Sequence, residues 1–80
     1  MTEDEIKELV LKHLKKVAPE IDTDAIEPGT RFRDQFDFDS VDFLNFITSL
    51  QKEANLVIPE NDAPSLSSLE GAVKYLKEQT

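Results

Sequence analysis

The sequence predicts a small all-α domain: a four-helix bundle of three principal helices and one short helix, with a long ordered loop between helices I and II. Three separate stretches, near residues 6–17, 43–50 and 69–76, place apolar residues at intervals of three and four. No stretch shows the alternation typical of a strand. Eighty residues suffice for one domain with one modest core.

The first helix is predicted at the amino terminus. Thr2 and Glu5 have the spacing of a capping box, which marks a helix start. Pro19 prevents the helix from continuing. The predicted apolar face consists of Ile6, Leu9, Val10, Leu14 and Val17.

Residues 19–38 lose the helical pattern and contain the turn signal Pro28-Gly29. Connections of this length without regular structure are uncommon in compact domains, and many of them are functional. Apolar residues recur along the segment, so we expect it to be pinned to the core. These residues are Ile21, Ile26, Phe32, Phe36 and Phe38.

The second principal helix is predicted to start at Asp39, whose carboxylate can cap free backbone N–H groups, and to end near Asn55. Its apolar residues are Phe43, Leu44, Phe46, Ile47 and Leu50. Pro59 and Pro64 then bracket a few polar residues, which leaves room for one short turn of helix.

The last helix is predicted from a second capping-box spacing, formed by Ser67 and Glu70. Its apolar stripe consists of Leu69, Ala72, Val73 and Leu76.

The charge distribution limits the classes of partner. A net charge of -8 repels nucleic-acid phosphates and anionic lipid heads, so we expect neither nucleic acid nor membrane as a partner, and favour basic protein surfaces. Residues 20–42 contain eight acidic residues against Arg31 and Arg33. The chain has no cysteine, and its amino terminus is acidic where a signal peptide would be basic, so a cytoplasmic location is expected.

Ser40 is the most informative candidate residue, because a serine can be a nucleophile, a helix cap, a phosphate acceptor or filler. Nucleophilic catalysis needs a positioned base, yet the chain has one histidine, His13, expected on the surface or half-buried in the first helix. There is no G-x-S-x-G motif around Ser40. A deep catalytic site is therefore not expected.

Calcium binding is the second possibility, because Asp34, Asp37, Asp39 and Asp42 lie close together in the sequence. An EF-hand loop that began at Asp37 would need a ligand at its fifth position, where Val41 stands. The spacing therefore predicts no metal site.

Two roles for Ser40 remain open on local chemistry alone. The serine could simply occupy the first turn of a helix that Asp39 caps. Alternatively it could carry a phosphate ester, because a phosphate there would meet the free N–H groups and the positive end of the helix dipole.

Two segments carry a resemblance to a known family. "FRDQFDFDSVDFLNFI" resembles the acyl carrier protein signature, in which a phenylalanine and an acidic stretch precede Asp-Ser-hydrophobic-Asp and an amphipathic helix. "IPENDAPSLSSLEGAVKYL" is similar to the same family's short third helix, hydroxyl-containing loop and closing helix. The resemblance covers nearly the whole chain and implies one acyl carrier domain over residues 1–80.

The resemblance implies that Ser40 carries phosphopantetheine, attached by a phosphopantetheinyl transferase that uses coenzyme A. It implies a monomeric protein that is not an enzyme and presents acyl thioesters to acyl-transferring and synthase enzymes with basic docking surfaces. By the same match, Asp39, Val41 and Asp42 would be docking residues beside the attachment point. Hydrophobic acyl chains are expected to lie between the helices, beside Phe43, Phe46, Ile47 and Val73.

The chain departs from the family pattern in two places. Asp37 and Phe38 stand where the family usually has glycine and a small residue. Further along helix II, where fatty-acid carriers commonly have more glutamates, the chain has Asn45, Thr48, Gln51 and Lys52. Fatty-acid biosynthesis and a specialised polyketide, lipid-modifying or aminoacyl pathway therefore both remain open. Outside the family, the alternatives are an acidic helical interaction module or a divalent-metal binder without cofactor.

Overall fold

Three long helices form the frame of the protein, as the sequence predicts. The structure, a computed structural model, describes residues 2–79. The helices are α1 (Glu3–Val17), α2 (Phe32–Gln35), α3 (Ser40–Ala54) and α4 (Leu69–Gln79). Two 3₁₀ helices, Thr23–Ala25 and Glu60–Leu66, complete the order. Within the described residues the only β feature is an isolated bridge between Arg31 and Ser68, so the predicted all-α class is confirmed.

The ends of α1 lie where its sequence signals predict. The Thr2 Oγ1 atom accepts a hydrogen bond from the Glu5 N–H at 3.2 Å, and the Glu5 carboxylate accepts one from the Thr2 N–H at 2.9 Å. The backbone hydrogen bond to Thr2 is the main cause that lowers the pKa of Glu5. The helix ends at Val17, before Pro19, and packs against both α3 and α4.

One hydrophobic core lies between the long helices, the loop and the second 3₁₀ helix. Burying an aliphatic or aromatic side chain stabilises the fold by about 1.5–3 kcal/mol relative to leaving it exposed, so this core is the main source of stability. Its buried members are Ile6, Val10, Leu14, Ala18, Ile21, Phe32, Phe38, Phe46, Ile47, Leu50, Ile58, Leu66, Leu69, Ala72 and Leu76.

The long loop between α1 and α3 is pinned to this core, as predicted. Ile21, Phe32 and Phe38 are buried, and Ile26 and Phe36 pack partly buried against the core. The loop is more regular than its sequence pattern indicates, because it contains a 3₁₀ turn and the single helical turn α2. Neither is long enough to show an amphipathic period.

An aromatic cluster of Phe32, Phe38 and Phe46 connects the loop to α3. The rings of Phe32 and Phe38, and those of Phe32 and Phe46, have centroids 5.7 Å apart in edge-to-face arrangements. The Phe38 and Phe46 centroids lie 6.4 Å apart. Edge-to-face pairs add stability beyond the buried area, so the segment that leads into α3 is held firmly.

Hydrogen bonds also hold the loop. The Phe32 N–H donates to the Ser67 carbonyl, and the Glu70 N–H donates to the Pro28 carbonyl, both at 2.9 Å. The Gln35 side-chain amide donates to the Glu27 and Thr30 carbonyls, each at 2.9 Å. Its oxygen accepts from the Glu27 N–H at 2.9 Å. The loop is therefore closed on itself and tied to the start of α4.

Two predictions about the second half of the chain are wrong. The short helix is not one turn but the seven-residue 3₁₀ helix Glu60–Leu66, with Pro64 inside it. A proline removes one N–H donor there without ending the element.

The predicted capping box of Ser67 and Glu70 does not form. The Ser67 hydroxyl donates to the Pro64 carbonyl at 2.8 Å, and the Glu70 N–H is used by Pro28. Ser68 takes the capping role instead, because its hydroxyl accepts from the Gly71 N–H at 3.1 Å. The start of α4 is thus set by contacts with the loop, which local spacing does not encode.

His13 is also placed differently from the prediction. It is 3% exposed, and its Nδ1 atom forms a hydrogen bond with the Ser49 hydroxyl on α3. Its Nε2 atom is buried without a partner among the described residues. Burial is the first cause of a lowered His13 pKa, since desolvation disfavours the charged imidazolium.

No helix within residues 2–79 is both long enough and apolar enough to cross a membrane.

Candidate functional site at the start of α3

Ser40 is the first residue of α3 and is exposed to solvent. Asp39 precedes it as the N-cap, and the Asp39 carboxylate accepts a hydrogen bond from the Asp42 N–H at 2.8 Å. The Asp42 carboxylate in turn accepts from the Asp39 N–H at 3.3 Å, which completes a capping box. The predicted start of the helix and the capping role of Asp39 are confirmed.

This arrangement leaves the Ser40 hydroxyl outside the cap, because two carboxylates already fill it. Ser40 also lies in the first turn of a helix of 15 residues, where backbone N–H groups and the helix dipole favour negative charge. An anionic group bonded to the Ser40 oxygen would be stabilised there.

A cleft of about 390 Å³ opens on the side of Ser40 that faces the loop, and we call it the loop-side cleft. Its aromatic walls are Phe38 and Phe43, and Arg33 brings a positive charge to it. The lining residues are Arg33, Phe38, Asp39, Ser40, Phe43 and Ser67. Ser40 thus lies beside both an apolar surface and a cation.

A second depression of about 600 Å³ runs from Ser40 between α3 and the second 3₁₀ helix, and we call it the helix-side groove. Val41 and Leu44, each 63% exposed, lie along it. The lining residues are Ser40, Val41, Phe43, Leu44, Ile47, Thr48, Gln51, Ile58, Glu60 and Ala63. Ser40 is therefore shared by two depressions of different chemistry.

The residues expected beside an acyl chain are not all brought together. Phe43 and Ile47 line the helix-side groove, whereas Phe46 is fully buried in the core. Val73 lies elsewhere, in a groove that residues of α1, α4 and the loop form, so it does not line the helix-side groove with Phe43 and Ile47. Its position in the apolar stripe of α4 did not reveal which neighbouring helix it faces.

The acidic residues before α3 do not form a metal site. Asp34 is bound to Arg31 at 2.8 Å in an exposed ion pair. Asp39 and Asp42 are engaged in the capping box. Among residues 2–79, no group of three or more His, Cys, Asp or Glu side chains is placed to hold a metal ion.

His13 lies far from Ser40. Its partner Ser49 is nine residues along α3, which corresponds to about 13 Å along the helix axis. A histidine at that distance cannot act as a base for the Ser40 hydroxyl.

Arg33 and Ser67 line the loop-side cleft although no sequence pattern predicts either residue there. Arg33 follows a core phenylalanine on α2, and Ser67 comes from the other half of the chain. Only the folded loop brings them to Ser40, so no local spacing could have revealed them.

Comparison with known proteins agrees with this geometry. The family profile described as "Phosphopantetheine attachment site" matches residues 4–76. The acyl carrier protein of Chlorobium phaeobacteroides is 33% identical over 76 residues, which cover 95% of this chain and 96% of the relative. The acyl carrier protein of Lactobacillus acidophilus is 36% identical over 58 residues, 72% of each chain. That of Chlorobium phaeovibrioides is 32% identical over 76 residues, 95% of this chain and 96% of the relative.

The profile thus spans most of the chain, Ser40 included, and the two Chlorobium relatives match the chain almost from end to end. With an all-α fold and an exposed serine at the start of a capped helix, the chain belongs to the phosphopantetheine-binding acyl carrier protein family.

Proposed function

We propose that this protein is a free-standing acyl carrier protein in which Ser40 carries phosphopantetheine. The observation that carries the proposal is the position of Ser40. This exposed residue is the first of a capped helix and lines two depressions. The profile for phosphopantetheine attachment, which includes this residue within 4–76, supports it.

The residues around Ser40 fit the group. Its phosphodiester is an anion, and the α3 N-terminus and Arg33 both favour negative charge at the Ser40 oxygen. Phosphopantetheine supplies a terminal thiol that holds acyl groups as thioesters, which a chain without cysteine cannot provide itself. The helix-side groove offers apolar surface next to the attachment point.

Loading requires an external enzyme. In the proposed step the Ser40 oxygen bonds to the pantetheine-side phosphorus of coenzyme A, the bond from that phosphorus to the bridging oxygen of the pyrophosphate breaks, and adenosine 3′,5′-bisphosphate leaves with the bridging oxygen. The Ser40 proton passes to a base of the phosphopantetheinyl transferase, because His13 is remote and buried. The protein itself is therefore proposed to be a carrier and not an enzyme.

We propose that partner enzymes dock at the end of the bundle where Ser40 lies, through Asp39, Val41 and Asp42. Val41 is 63% exposed. Burying this apolar side chain against a partner would lower the free energy of the complex. The two carboxylates suit a basic docking surface, and the net charge of -8 works against nucleic acid and anionic membranes. We also propose a cytoplasmic monomer; the lack of cysteine fits a reducing compartment.

A hydrophobic acyl chain is proposed to lie in the helix-side groove against Phe43 and Ile47. Covering a methylene group recovers about 0.8 kcal/mol, so short chains would gain little and longer chains more. A thermal melt of the acylated protein that stays level with the unacylated form would argue against this.

Fatty-acid biosynthesis is the proposed pathway, and a specialised acyl pathway is the second candidate. The observation in favour of the second is that Asn45, Thr48 and Lys52 are exposed on α3, where a partner can read them. Replacing Asn45 and Gln51 with glutamate should improve exchange with a fatty-acid synthase partner if the chain serves another pathway.

The central test is intact mass after coexpression with a broad-specificity transferase. One phosphopantetheine should be added to the wild type and to the control Ser65→Ala, whose serine is exposed in the second 3₁₀ helix. Ser40→Ala should gain none and keep its helical circular dichroism. Loading that persists in Ser40→Ala would overturn the assignment.

A further inference from the structure

We propose that Arg33 binds the phosphodiester on Ser40 and thereby directs the root of the cofactor arm into the loop-side cleft. This inference rests on the proposed attachment at Ser40. Arg33 is thereby assigned as a residue that positions the arm. The family resemblance implies no function for this residue.

Arg33 is the one cationic side chain among the described residues that line either depression beside Ser40. The helix-side groove is apolar with polar and acidic edges, and Glu60 is its charged residue. An anion bonded to the Ser40 oxygen therefore has a positive partner on the loop side and none on the other. The electrostatic asymmetry of the two depressions points the phosphodiester toward Arg33.

The neighbouring arginine shows why Arg33 is available. Arg31 is held by Asp34 at 2.8 Å, whereas Arg33 forms no ion pair with any residue of 2–79. An exposed guanidinium without a carboxylate partner can bind an added anion without first breaking a protein contact.

The backbone that carries Arg33 is already ordered. Phe32 is 1% exposed in the aromatic cluster, and its N–H donates to the Ser67 carbonyl. Gln35, two residues on, closes the loop with three hydrogen bonds. Binding a phosphodiester would then reduce the conformational entropy of the Arg33 side chain alone, because the loop backbone is already ordered.

The other polar groups of the cleft cannot replace Arg33. The Ser67 hydroxyl already donates its proton to the Pro64 carbonyl, and Asp39 carries a negative charge that opposes the phosphodiester. A guanidinium can offer two parallel N–H donors to phosphate oxygens, which a lysine ammonium cannot do with the same geometry. Arg33 therefore supplies the side-chain hydrogen bonds in this cleft.

The experiment compares unloaded and loaded full-length protein by NMR and by thermal melting. In the wild type, loading should shift the side-chain Nε–H resonance of Arg33 and leave that of Arg31 in place. Arg33→Gln should move the ³¹P resonance of the loaded protein, and Arg33→Lys should move it less. Arg31→Gln is the matched control, since it removes an equally charged residue of the same segment that is tied to Asp34.

Melting gives an independent readout. Pairing should raise the melting temperature of the loaded wild type relative to the unloaded form, and Arg33→Gln should lose about 1–5 °C of that difference at low salt. Arg31→Gln should change both forms equally. High salt should reduce the difference in the wild type.

The outcomes separate the two proposals. Normal loading by mass, with no shift at Arg33 and the same ³¹P resonance in Arg33→Gln, overturns this inference and leaves the carrier function standing. Failure of every variant, the wild type included, to gain the cofactor overturns the proposed function and this inference together.

Discussion

The two faces of α3 use apolar residues in opposite ways. On the inner face Phe46 and Leu50 are 0% exposed and pack in the core. On the outer face Val41 and Leu44 are each 63% exposed beside Ser40. One helix therefore stabilises the fold with one stripe and leaves a second apolar stripe free for contacts outside the domain.

Helix geometry explains why the two stripes coexist. Residues three and four apart share a face, so Val41, Leu44 and Thr48 form the outer face, whereas Phe46, Ile47 and Leu50 form the inner one. A sequence pattern that counts Leu44 with the core is therefore misleading, although the spacing is helical. The difference between the faces is one of burial, and its consequences for stability and for the proposed docking can be tested residue by residue.

The largest expected effect is at the inner face. Phe46→Ala should lower the free energy of unfolding by about 3–5 kcal/mol, because it removes a fully buried ring and two edge-to-face contacts. Leu44→Ala, two residues away and exposed, should change it by less than about 0.5 kcal/mol. Urea denaturation of the unloaded proteins measures both.

Equal losses in the two variants would show that Leu44 belongs to the core and would remove the distinction between the faces. Phe46→Leu serves as a milder variant if the alanine form does not fold.

A smaller loss of stability is expected at Gly71 of α4, which packs closely against the second 3₁₀ helix, one wall of the helix-side groove. A Cβ atom at Gly71 would lie 2.2 Å from the Ser65 carbonyl oxygen, so the second 3₁₀ helix would have to shift. Gly71→Ala should cost about 1–3 kcal/mol by urea denaturation, as overpacking does.

Gly29→Ala is the matched control for that change. Its Cβ atom would lie 3.4 Å from the Glu70 carboxylate, the end of a flexible side chain, and so should be tolerated. Similar stability losses in both variants would mean that backbone freedom, and not the close approach to Ser65, explains Gly71.

Features encoded over a few residues could be predicted from the sequence. The capping box at Thr2 follows from a spacing of three residues, and the N-cap at Asp39 follows from its residue type, so the starts of α1 and α3 are predicted locally. The predicted cap of α4 lies one serine too early, because the Phe32 N–H donates to the Ser67 carbonyl and the Glu70 N–H donates to the Pro28 carbonyl of the loop. Such long-range contacts leave no local signal.

The site divides in the same way. Ser40 and its acidic neighbours are predicted as a candidate site from the motif, whereas the approach of Arg33 and Ser67 depends on the folded loop. His13 is an intermediate case, since it follows Val10 by three residues and so lies on the apolar face of α1. The helical spacing therefore predicts that His13 is buried, whereas its polar side chain favours the surface.

The buried His13 should make the stability of the fold depend on pH. Burial lowers its pKa from the ordinary value of 6.5, with Glu53 opposing this and Lys12 and Lys16 adding to it. As the pH falls below about 6.5, the unfolded chain takes up the proton first, so stability should decrease and the loss is complete below the folded pKa. Denaturation at about pH 7.5 and about pH 5.5 measures this component.

His13→Gln is the control, because glutamine can still bond Ser49 but does not titrate in this range. The pH dependence that remains in His13→Gln belongs to the carboxylates and is subtracted. An identical pH dependence in both proteins would show that the pKa of His13 is the same in the folded and the unfolded chain, so that burial does not lower it.

The smallest expected effect on stability, and the sharpest test of the outer face, is at Asp42. In Asp42→Asn the side chain keeps an oxygen that can accept the Asp39 N–H, so the cap and the free energy of unfolding should change little. The lost charge should nevertheless slow phosphopantetheine transfer about twofold or more at low ionic strength, since steering acts on the encounter rate. The difference should fade as salt screens the charge.

Glu78→Gln, in the last turns of α4 and exposed, removes the same charge and should leave the rate unchanged. Equal transfer rates at low salt for the wild type and Asp42→Asn would confine Asp42 to its capping role and place docking elsewhere on the outer face.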